Sequence, residues 1–324
     1  MPGKAANLRV SWIFLAVGQL CATCVTAEEL IRAMPLSAAP GIPVADNGPH
    51  GGGWITTEEL PLSAGVLLPP EQRIWQVLPP GLIYRSYLAG PRESRFASQW
   101  VHLSGEEDWA WDITLGGRIG ILRYGTSDPV WPEGWQLDIE GAAFPRLSLD
   151  DQRDLIASDF RFGVPLTYRR GPWETKFGYY HLSSHLGDEF LEIHTDMARI
   201  NYVRESLVWG VALRPTDALR LYVEAGWAFY TDGGAEPWEF QVGASFTPAY
   251  PTGLAGAPFF AVNAHLREEA DFGGNVAVQG GWAWKGPSGR LFRVGAHYLN
   301  GKSNQYQFFR QHEEQIGLGM WFDY

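Results

Sequence analysis

The sequence predicts an all-β protein, an antiparallel transmembrane β-barrel of about twelve strands. Three observations predict it. Apolar and polar residues alternate in runs about as long as a tilted strand needs to cross a bilayer. The chain is rich in tryptophan and tyrosine, with 15 and 13 residues, and many of them lie at the ends of these runs. The last run ends in an aromatic residue, Tyr324.

The first 27 residues read as a cleaved secretory signal peptide. Lys4 and Arg9 supply the positive charge, residues 12–20 form a short apolar core, and Ala27 ends a run of small residues suited to cleavage. A membrane anchor is the alternative, but it is disfavoured because the apolar run falls short of the ~20 residues that a spanning helix needs. We therefore expect export across the inner membrane and a mature chain that begins near Glu28.

Composition excludes some classes of function. Both cysteines, Cys21 and Cys24, lie in the predicted signal, so the mature chain should have neither disulfides nor thiolate chemistry. The chain carries 36 Asp and Glu against 25 Lys and Arg, a formal net charge of −11. This acidic balance argues against nucleic acid as a partner.

Residues 28–94 are predicted to form an irregular N-terminal segment, and residues 95–324 the barrel. Proline pairs and a triple glycine punctuate the first part of this segment, where regular structure is disfavoured. The pattern allows the segment to pack against the barrel or to plug one end of it, and does not choose between them.

The alternating runs define twelve candidate strands. In one of them Trp135 and Leu137 alternate with Gln136 and Asp138. A soluble sandwich of two sheets also fits such alternation. Charges of both signs on the polar faces favour a barrel, because they suit a polar lumen. The predicted strands are 95–104, 109–124, 134–145, 158–169, 172–184, 198–213, 218–231, 237–248, 257–268, 274–285, 290–299 and 313–324.

The end of the chain predicts the compartment. Ile316, Leu318, Met320, Phe322 and Tyr324 share one strand face. This resembles the C-terminal signal of bacterial outer-membrane barrels, although a polar residue is usual where Gly317 stands. The resemblance implies a bacterial outer-membrane location, contact with membrane lipids, and recognition of the last strand by the outer-membrane assembly machinery.

Two segments carry a resemblance to a known family. Residues 84–93 and 180–189 resemble a bacterial, planctomycete-type family of outer-membrane β-barrels of unknown function. The resemblance implies the barrel fold and brings no activity with it.

A histidine and a serine on one strand suggest chemistry. His181 and Ser183 share a strand face, and a histidine so placed can activate a hydroxyl nucleophile. The His-x-Ser spacing, followed by Asn201 on the next predicted strand, resembles that of the outer-membrane phospholipase A family. That family has Asn-Gly directly after its serine, whereas here Ser184 follows and the glycine is delayed to Gly187.

The resemblance implies a lipid esterase that acts at the outer leaflet. Ser183 would attack the ester carbonyl, His181 would take its proton, and Asn201 would orient the imidazole. A hairpin centred near Leu191 would place Asn201 opposite His181 on the lipid-facing side. Asp188 in the following loop is predicted to bind a calcium ion together with Glu189, with Glu192 and Asp196 as alternative partners.

Three alternatives stay open. The histidines and serines near residue 181 can form a polar collar without chemistry where a strand leaves the membrane. The barrel can be a narrow channel for small solutes, although opposite charges such as Arg118 and Glu140 would fill a narrow lumen. The last alternative is a soluble carbohydrate-binding protein with the fold of a β-sandwich. Further inward histidines and carboxylates are predicted to form lumen networks: His265, His297, Asp138 and Glu224.

Overall fold

The structure is a computed structural model that describes residues 72–104, 108–150 and 152–324. The predicted signal peptide and most of the predicted irregular segment lie outside the described residues. Within the described residues no helix is both long enough and apolar enough to span a membrane.

Thirteen strands and one short α-helix make up the described part of the chain. The helix α1, Asp188–Ile193, lies between β6 and β7. The strands are β1 Ile74–Val77, β2 Phe96–Ser104, β3 Asp108–Gly125, β4 Gly134–Ser148, β5 Leu155–Arg170, β6 Trp173–Leu186, β7 Val203–Leu213, β8 Leu219–Asp232, β9 Trp238–Phe246, β10 Ala257–Arg267, β11 Gly274–Lys285, β12 Leu291–Lys302 and β13 His312–Asp323.

Strands β2 to β13 form a closed antiparallel barrel of twelve strands, as the sequence predicts. Each strand pairs with the next along the chain, and β13 closes the barrel by pairing with β2, with Phe322 opposite Phe96. Strand β3 is longer than β2, and β1 pairs with the part of β3 that β2 leaves uncovered, Leu122 to Gly125. The barrel therefore presents little unpaired strand edge, the usual point of attack for aggregation.

Side chains alternate between an apolar outer wall and a polar lumen. On β4, Trp135 and Leu137 are 48% and 37% exposed, whereas Gln136 and Asp138 are 1% and 0% exposed. The same alternation runs around the barrel and confirms the predicted strand faces. An apolar outside around a charged inside is the reverse of a soluble sandwich.

Ion pairs fill the lumen. Arg118 lies 2.6 Å from Asp138 and 3.6 Å from Glu140. Arg118 and Glu140 are the two opposite charges that were predicted from the sequence to fill the lumen. The other inward groups predicted as networks are also paired. Lys176 Nζ lies 2.6 Å from Glu224, His265 Nε2 lies 3.1 Å from Glu239, and His297 bonds to Gln315.

The chain enters the barrel from one end. We call the end at which β13 finishes the Tyr324 end, and the opposite end, where α1 lies, the helix end. Residues 78–95, here called the plug segment, lead from β1 to β2 through the lumen, and most of them are buried. Tyr87 stacks on Tyr222 of the wall with ring centroids 3.9 Å apart, and its hydroxyl donates to Glu224 at 2.7 Å.

Arginines of the barrel wall bind the backbone of the plug segment. An irregular backbone inside a barrel has carbonyl groups that no strand ladder satisfies. The side chain of Arg220 donates to the carbonyl of Arg85 at 2.9 Å, that of Arg293 to Leu88 at 3.2 Å, and that of Arg161 to Arg92 at 2.7 Å. The wall thus supplies the donors that hold this segment in the lumen.

Removing one lumen cation should destabilise the barrel strongly. The side chain of Arg118 is 1% exposed, and Arg118→Ala would leave Asp138 buried without its cation. We expect a loss of about 3–5 kcal/mol in the free energy of unfolding, the usual cost of breaking a buried pair. Urea unfolding in detergent, followed by tryptophan fluorescence, measures it. Arg290→Ala, at an exposed turn, is the control. Equal effects of the two substitutions would mean that the lumen pairs do not stabilise the fold.

Candidate functional site

The outer wall of β6 carries the predicted histidine and serine. Odd-numbered residues of this strand point outward, so His181 and Ser183 are partly exposed on the face that also holds Phe177 and Tyr179. Ser184 points inward and is 1% exposed. The predicted face of the pair is therefore the observed one.

A carboxylate orients the histidine. Glu205 on β7 lies directly opposite His181 in the strand register. Its Oε1 is 2.8 Å from His181 Nδ1, and its Oε2 accepts a hydrogen bond from the Tyr179 hydroxyl at 2.5 Å. Both carboxylate oxygens are thus engaged by outward-facing groups, and the imidazole is fixed by one of them.

The predicted register of this hairpin, with Asn201 opposite His181, is wrong. Helix α1 and the loop after it occupy residues that were assigned to the hairpin, so β7 begins at Val203 instead of near residue 198. Asn201 lies before the strand, is exposed, and donates from Nδ2 to Asp232 Oδ2 at 3.0 Å. The structure therefore brings Glu205 to the histidine, and not the asparagine.

Sequence reasoning missed Glu205, although a signal for it was present. Glu205 stands between Val203 and Leu207 on the outward, apolar face of β7. A charged side chain on a lipid-facing strand is costly unless it has a partner or a function. An isolated acid on an apolar face, opposite a histidine, is the pattern that could have identified it.

The contact with Glu205 determines which nitrogen of His181 is free. A carboxylate only accepts hydrogen bonds, so Nδ1 carries the proton that the bond requires, and in the neutral imidazole the free lone pair is on Nε2. Ser183 lies two residues along the same face, about 7 Å away along the strand. Within the described residues no hydrogen bond joins Ser183 to His181. Such bonds are often long before substrate binds.

Gly187 is needed for packing. A Cβ at this position would lie 1.7 Å from the carbonyl oxygen of Leu155, and the Gly187 N–H donates to the carbonyl of Ile156 at 2.9 Å. The close approach of β5 excludes any side chain here. Its N–H is already used, so Gly187 does not supply a donor for an oxyanion.

The acidic pair in the loop, Asp188 and Glu189, does not by itself form a metal-binding site. Asp188 is the first residue of α1 and lies 2.9 Å from Arg199, and Glu189 is exposed. The described part of the chain contains no group of three or more His, Cys, Asp and Glu side chains that could hold a metal ion. Calcium takes six to eight oxygen ligands, so this pair would need further oxygen donors to hold the ion.

Comparison with known families decides the membership of the chain. The family model described as protein of unknown function (DUF1207) matches residues 50–324. The chain belongs to DUF1207. This confirms the resemblance to a family without an assigned activity. No curated protein matches this DUF1207 chain.

The solved structures that match this chain include an outer membrane phospholipase and porins. Outer membrane phospholipase A from Escherichia coli is 9% identical, with a TM-score of 0.45 over 71% of this chain and 92% of that one. KdgM porin is 8% identical, with a TM-score of 0.37 over 69% of this chain and 96% of that one. A mutant of Rh. blastica porin is 10% identical, with a TM-score of 0.30 over 71% and 98% of the two chains.

Proposed function

We propose that this DUF1207 protein is an integral protein of the bacterial outer membrane that hydrolyses lipid esters on its outer wall. The observation that carries the enzymatic part is the bond between His181 Nδ1 and Glu205, with Ser183 on the same face. The membrane location is supported by the apolar outer wall around a charged lumen. A cleaved signal peptide at residues 1–27 would deliver the chain to the assembly pathway.

Each of the three residues has a role in this scheme. The Ser183 hydroxyl attacks the ester carbonyl while His181 Nε2 takes its proton, and an acyl-serine forms as the lipid alcohol leaves with that proton. Water then attacks the acyl-serine, with the same nitrogen as the base, and releases the fatty acid. Glu205 holds the imidazole in the tautomer that leaves Nε2 free and stabilises the imidazolium. The Tyr179 hydroxyl fixes Glu205 in turn.

The outer wall offers the substrate an apolar approach. Phe162 and Phe160 of β5 lie beside His181 and Ser183 in the register and are 42% and 44% exposed. Acyl chains can pack against such rings while the ester reaches the polar groups. With both chain termini in the periplasm, the helix end would face the cell exterior, so the substrate would be a lipid of the outer leaflet.

Fatty-acid release from phospholipid by the purified protein in detergent tests this function. The assay is run with calcium and with a chelator, because calcium binding by Asp188 and Glu189 stays a prediction. The mechanism above takes no step through the ion. Absence of hydrolysis in every condition would leave the polar collar as the interpretation of this site.

The second candidate, a small-solute channel, is disfavoured by the plug segment. Tyr84 and Tyr87 are fully buried in the lumen, where their hydroxyls lie 2.7 Å apart. At the helix end Tyr306 of the β12–β13 loop is also buried, with its ring over the lumen beside Tyr202. We therefore propose a barrel that conducts no steady ion current.

The last strand is proposed to be recognised by the outer-membrane assembly machinery. Phe322 and Tyr324 end the chain and contact each other with ring centroids 5.3 Å apart. Deleting residues 322–324 should reduce the folded barrel in outer-membrane fractions, because β13 must also pair with β2. Heat-modifiable migration on gels measures the folded fraction. A matched deletion in the exposed loop at residues 253–255 should assemble normally, and equal loss in both would contradict a specific role for the C terminus.

A further inference from the structure

Four cationic side chains surround one tryptophan at the Tyr324 end. Trp131 lies in the loop between β3 and β4. Arg85 of the plug segment, Arg169 of β5, Arg214 after β7 and Lys285 of β11 lie over its ring, 5.2, 4.8, 4.7 and 5.2 Å from the centroid. Separate elements therefore bring four basic side chains to one indole, and we call these five residues the Trp131 cluster.

The Trp131 cluster has too few carboxylates to balance its charge. Glu174 binds both Arg214 and Arg220, so one acid serves two cations. Among the described residues no carboxylate forms an ion pair with the other three members of the cluster: Arg85, Arg169 and Lys285. Lys285 is 4% exposed, and besides the Trp131 ring its Nζ contacts a carbonyl oxygen, that of Ala249 at 3.3 Å. A buried ammonium without a counter-ion is costly.

One acid of the loop, Asp128, is already engaged. Asp128 Oδ1 accepts the backbone N–H groups of Val130 and Trp131, both at 2.8 Å. In the described part of the chain Asp128 makes no ion pair with a cation of the cluster. The loop thus shapes the site without neutralising it.

One buried donor of the cluster has no hydrogen-bond partner in the described part of the chain, the indole Nε1 of Trp131. Arg220, which binds the carbonyl of Arg85, has a second such donor, Nη2, and its side chain is only 3% exposed. Buried donors in native proteins are nearly always satisfied. Arg85, Trp131 and Arg169 are partly exposed, so the cluster can be reached from the Tyr324 end.

The lowered pKa values of two arginines agree with an excess of positive charge at the cluster. Burial and the neighbouring Arg214 lower the pKa of Arg85 to about 9, against the opposing effect of Glu174. The pKa of Arg214 is also lowered, by burial first, and Arg220 contributes to the lowering. An anion bound here would relieve both the burial cost and the repulsion.

We propose that the Trp131 cluster binds a phosphate-type oxyanion at the Tyr324 end of the barrel. Guanidinium groups donate paired hydrogen bonds to phosphate oxygens, and the lysine adds a point charge. Free inorganic phosphate and the phosphate headgroup of a membrane lipid both present such an oxyanion, so the same side chains would recognise either one. This site lies at the opposite end from His181 and does not depend on ester hydrolysis.

Calorimetric titration of the purified barrel in detergent with inorganic phosphate, at constant ionic strength in chloride, tests the site. The wild-type protein should bind phosphate saturably. Arg169→Gln and Lys285→Gln, on separate strands, should each weaken binding about tenfold, the loss of one hydrogen bond between charged groups. Arg170→Gln is the matched control, since the neighbouring Arg170 is exposed and outside the cluster. Heat-modifiable migration confirms that each variant is folded.

A second readout separates a ligand site from a structural role. Without phosphate, Lys285→Gln should unfold at the same temperature as wild type or above it, because the variant loses an uncompensated cation. Phosphate should raise the unfolding temperature of wild type more than that of the variant. Destabilisation of Lys285→Gln without phosphate, or equal phosphate binding by all three variants, would overturn the proposal.

Reconstitution distinguishes the two sources of the oxyanion. Vesicles of phosphatidylcholine with and without phosphatidic acid replace detergent, and unfolding is followed by tryptophan fluorescence. Stabilisation by phosphatidic acid that Lys285→Gln loses assigns the site to a lipid headgroup. Phosphate binding in detergent without such a lipid effect assigns it to the free anion. No response to either ligand contradicts the site.

Discussion

Replacing Ser183 by alanine is expected to abolish the release of fatty acid from phospholipid. Ser183 is the outward hydroxyl next to His181, and no other serine of β6 shares that face near the imidazole. Loss of the nucleophile should reduce the rate by at least about 10³-fold. His181→Ala should be almost as damaging, because a serine without a base is a poor nucleophile at neutral pH.

Glu205→Gln is expected to reduce the same rate by about 10²-fold or more. The amide keeps the size of the side chain and removes the charge that stabilises the imidazolium. Its effect should exceed that of Asn201→Ala, because Asn201 bonds to Asp232 and not to His181. If Asn201→Ala reduced the rate as much as Glu205→Gln, the result would favour the triad predicted from the sequence, in which Asn201 orients His181.

Two neighbouring substitutions are controls for this series. Ser184→Ala changes an inward hydroxyl, and His185→Ala changes an outward histidine that contacts Phe160 instead of Glu205. Both variants should keep wild-type rates. If Ser184→Ala were inactive and Ser183→Ala active, the strand face assigned to the nucleophile would be wrong.

Removing the plug segment is expected to turn a closed barrel into a conducting one. A chain that begins at residue 95 lacks Tyr84, Tyr87 and Arg92, whose side chains are buried in the lumen. Their removal leaves space between the wall side chains that they contact, such as Tyr222. Steady current steps in a planar bilayer should appear where the full-length protein gives none.

A shorter truncation provides the control. A chain that begins at residue 72 keeps β1 and the plug segment and should stay closed. Heat-modifiable migration shows whether each truncated barrel is folded before it is recorded. Steady, ion-selective steps from the full-length protein would favour the channel, and charge reversal at Arg118 or Glu140 should then alter the selectivity.

The barrel could be predicted from sequence because strand alternation is a local pattern. The run predicted at 172–184 is strand β6 at Trp173–Leu186, and the run predicted at 274–285 coincides with β11. Successive side chains of a strand point to opposite faces of the sheet. Once the apolar face of a strand is identified, the side chains that enter the lumen are therefore known as well. The outward position of His181 and Ser183 followed from this rule.

The register between β6 and β7 could not be predicted in the same way. It depends on the length and shape of the loop at 187–202, which contains a helix of only six residues. A helix of fewer than two turns is too short to show an apolar period. The predicted hairpin was therefore too short, and Asn201 was placed where Glu205 lies.

The position of the plug segment depends on contacts that are distant in sequence. Its carbonyl groups are satisfied by arginines such as Arg220 and Arg293, more than a hundred residues away. No local pattern in residues 78–95 encodes those partners. The structure also adds a short strand, β1, to the part of the chain that was predicted to be irregular.

The most direct test of the proposed esterase is covalent labelling with a long-chain alkyl fluorophosphonate. This reagent phosphonylates an activated serine, with loss of fluoride, and peptide mass spectrometry locates the adduct. We predict one adduct on Ser183, strongly reduced in His181→Ala and Glu205→Gln and unchanged in His185→Ala. A wild-type barrel that stays unlabelled at Ser183 while folded in detergent or in vesicles would contradict the account.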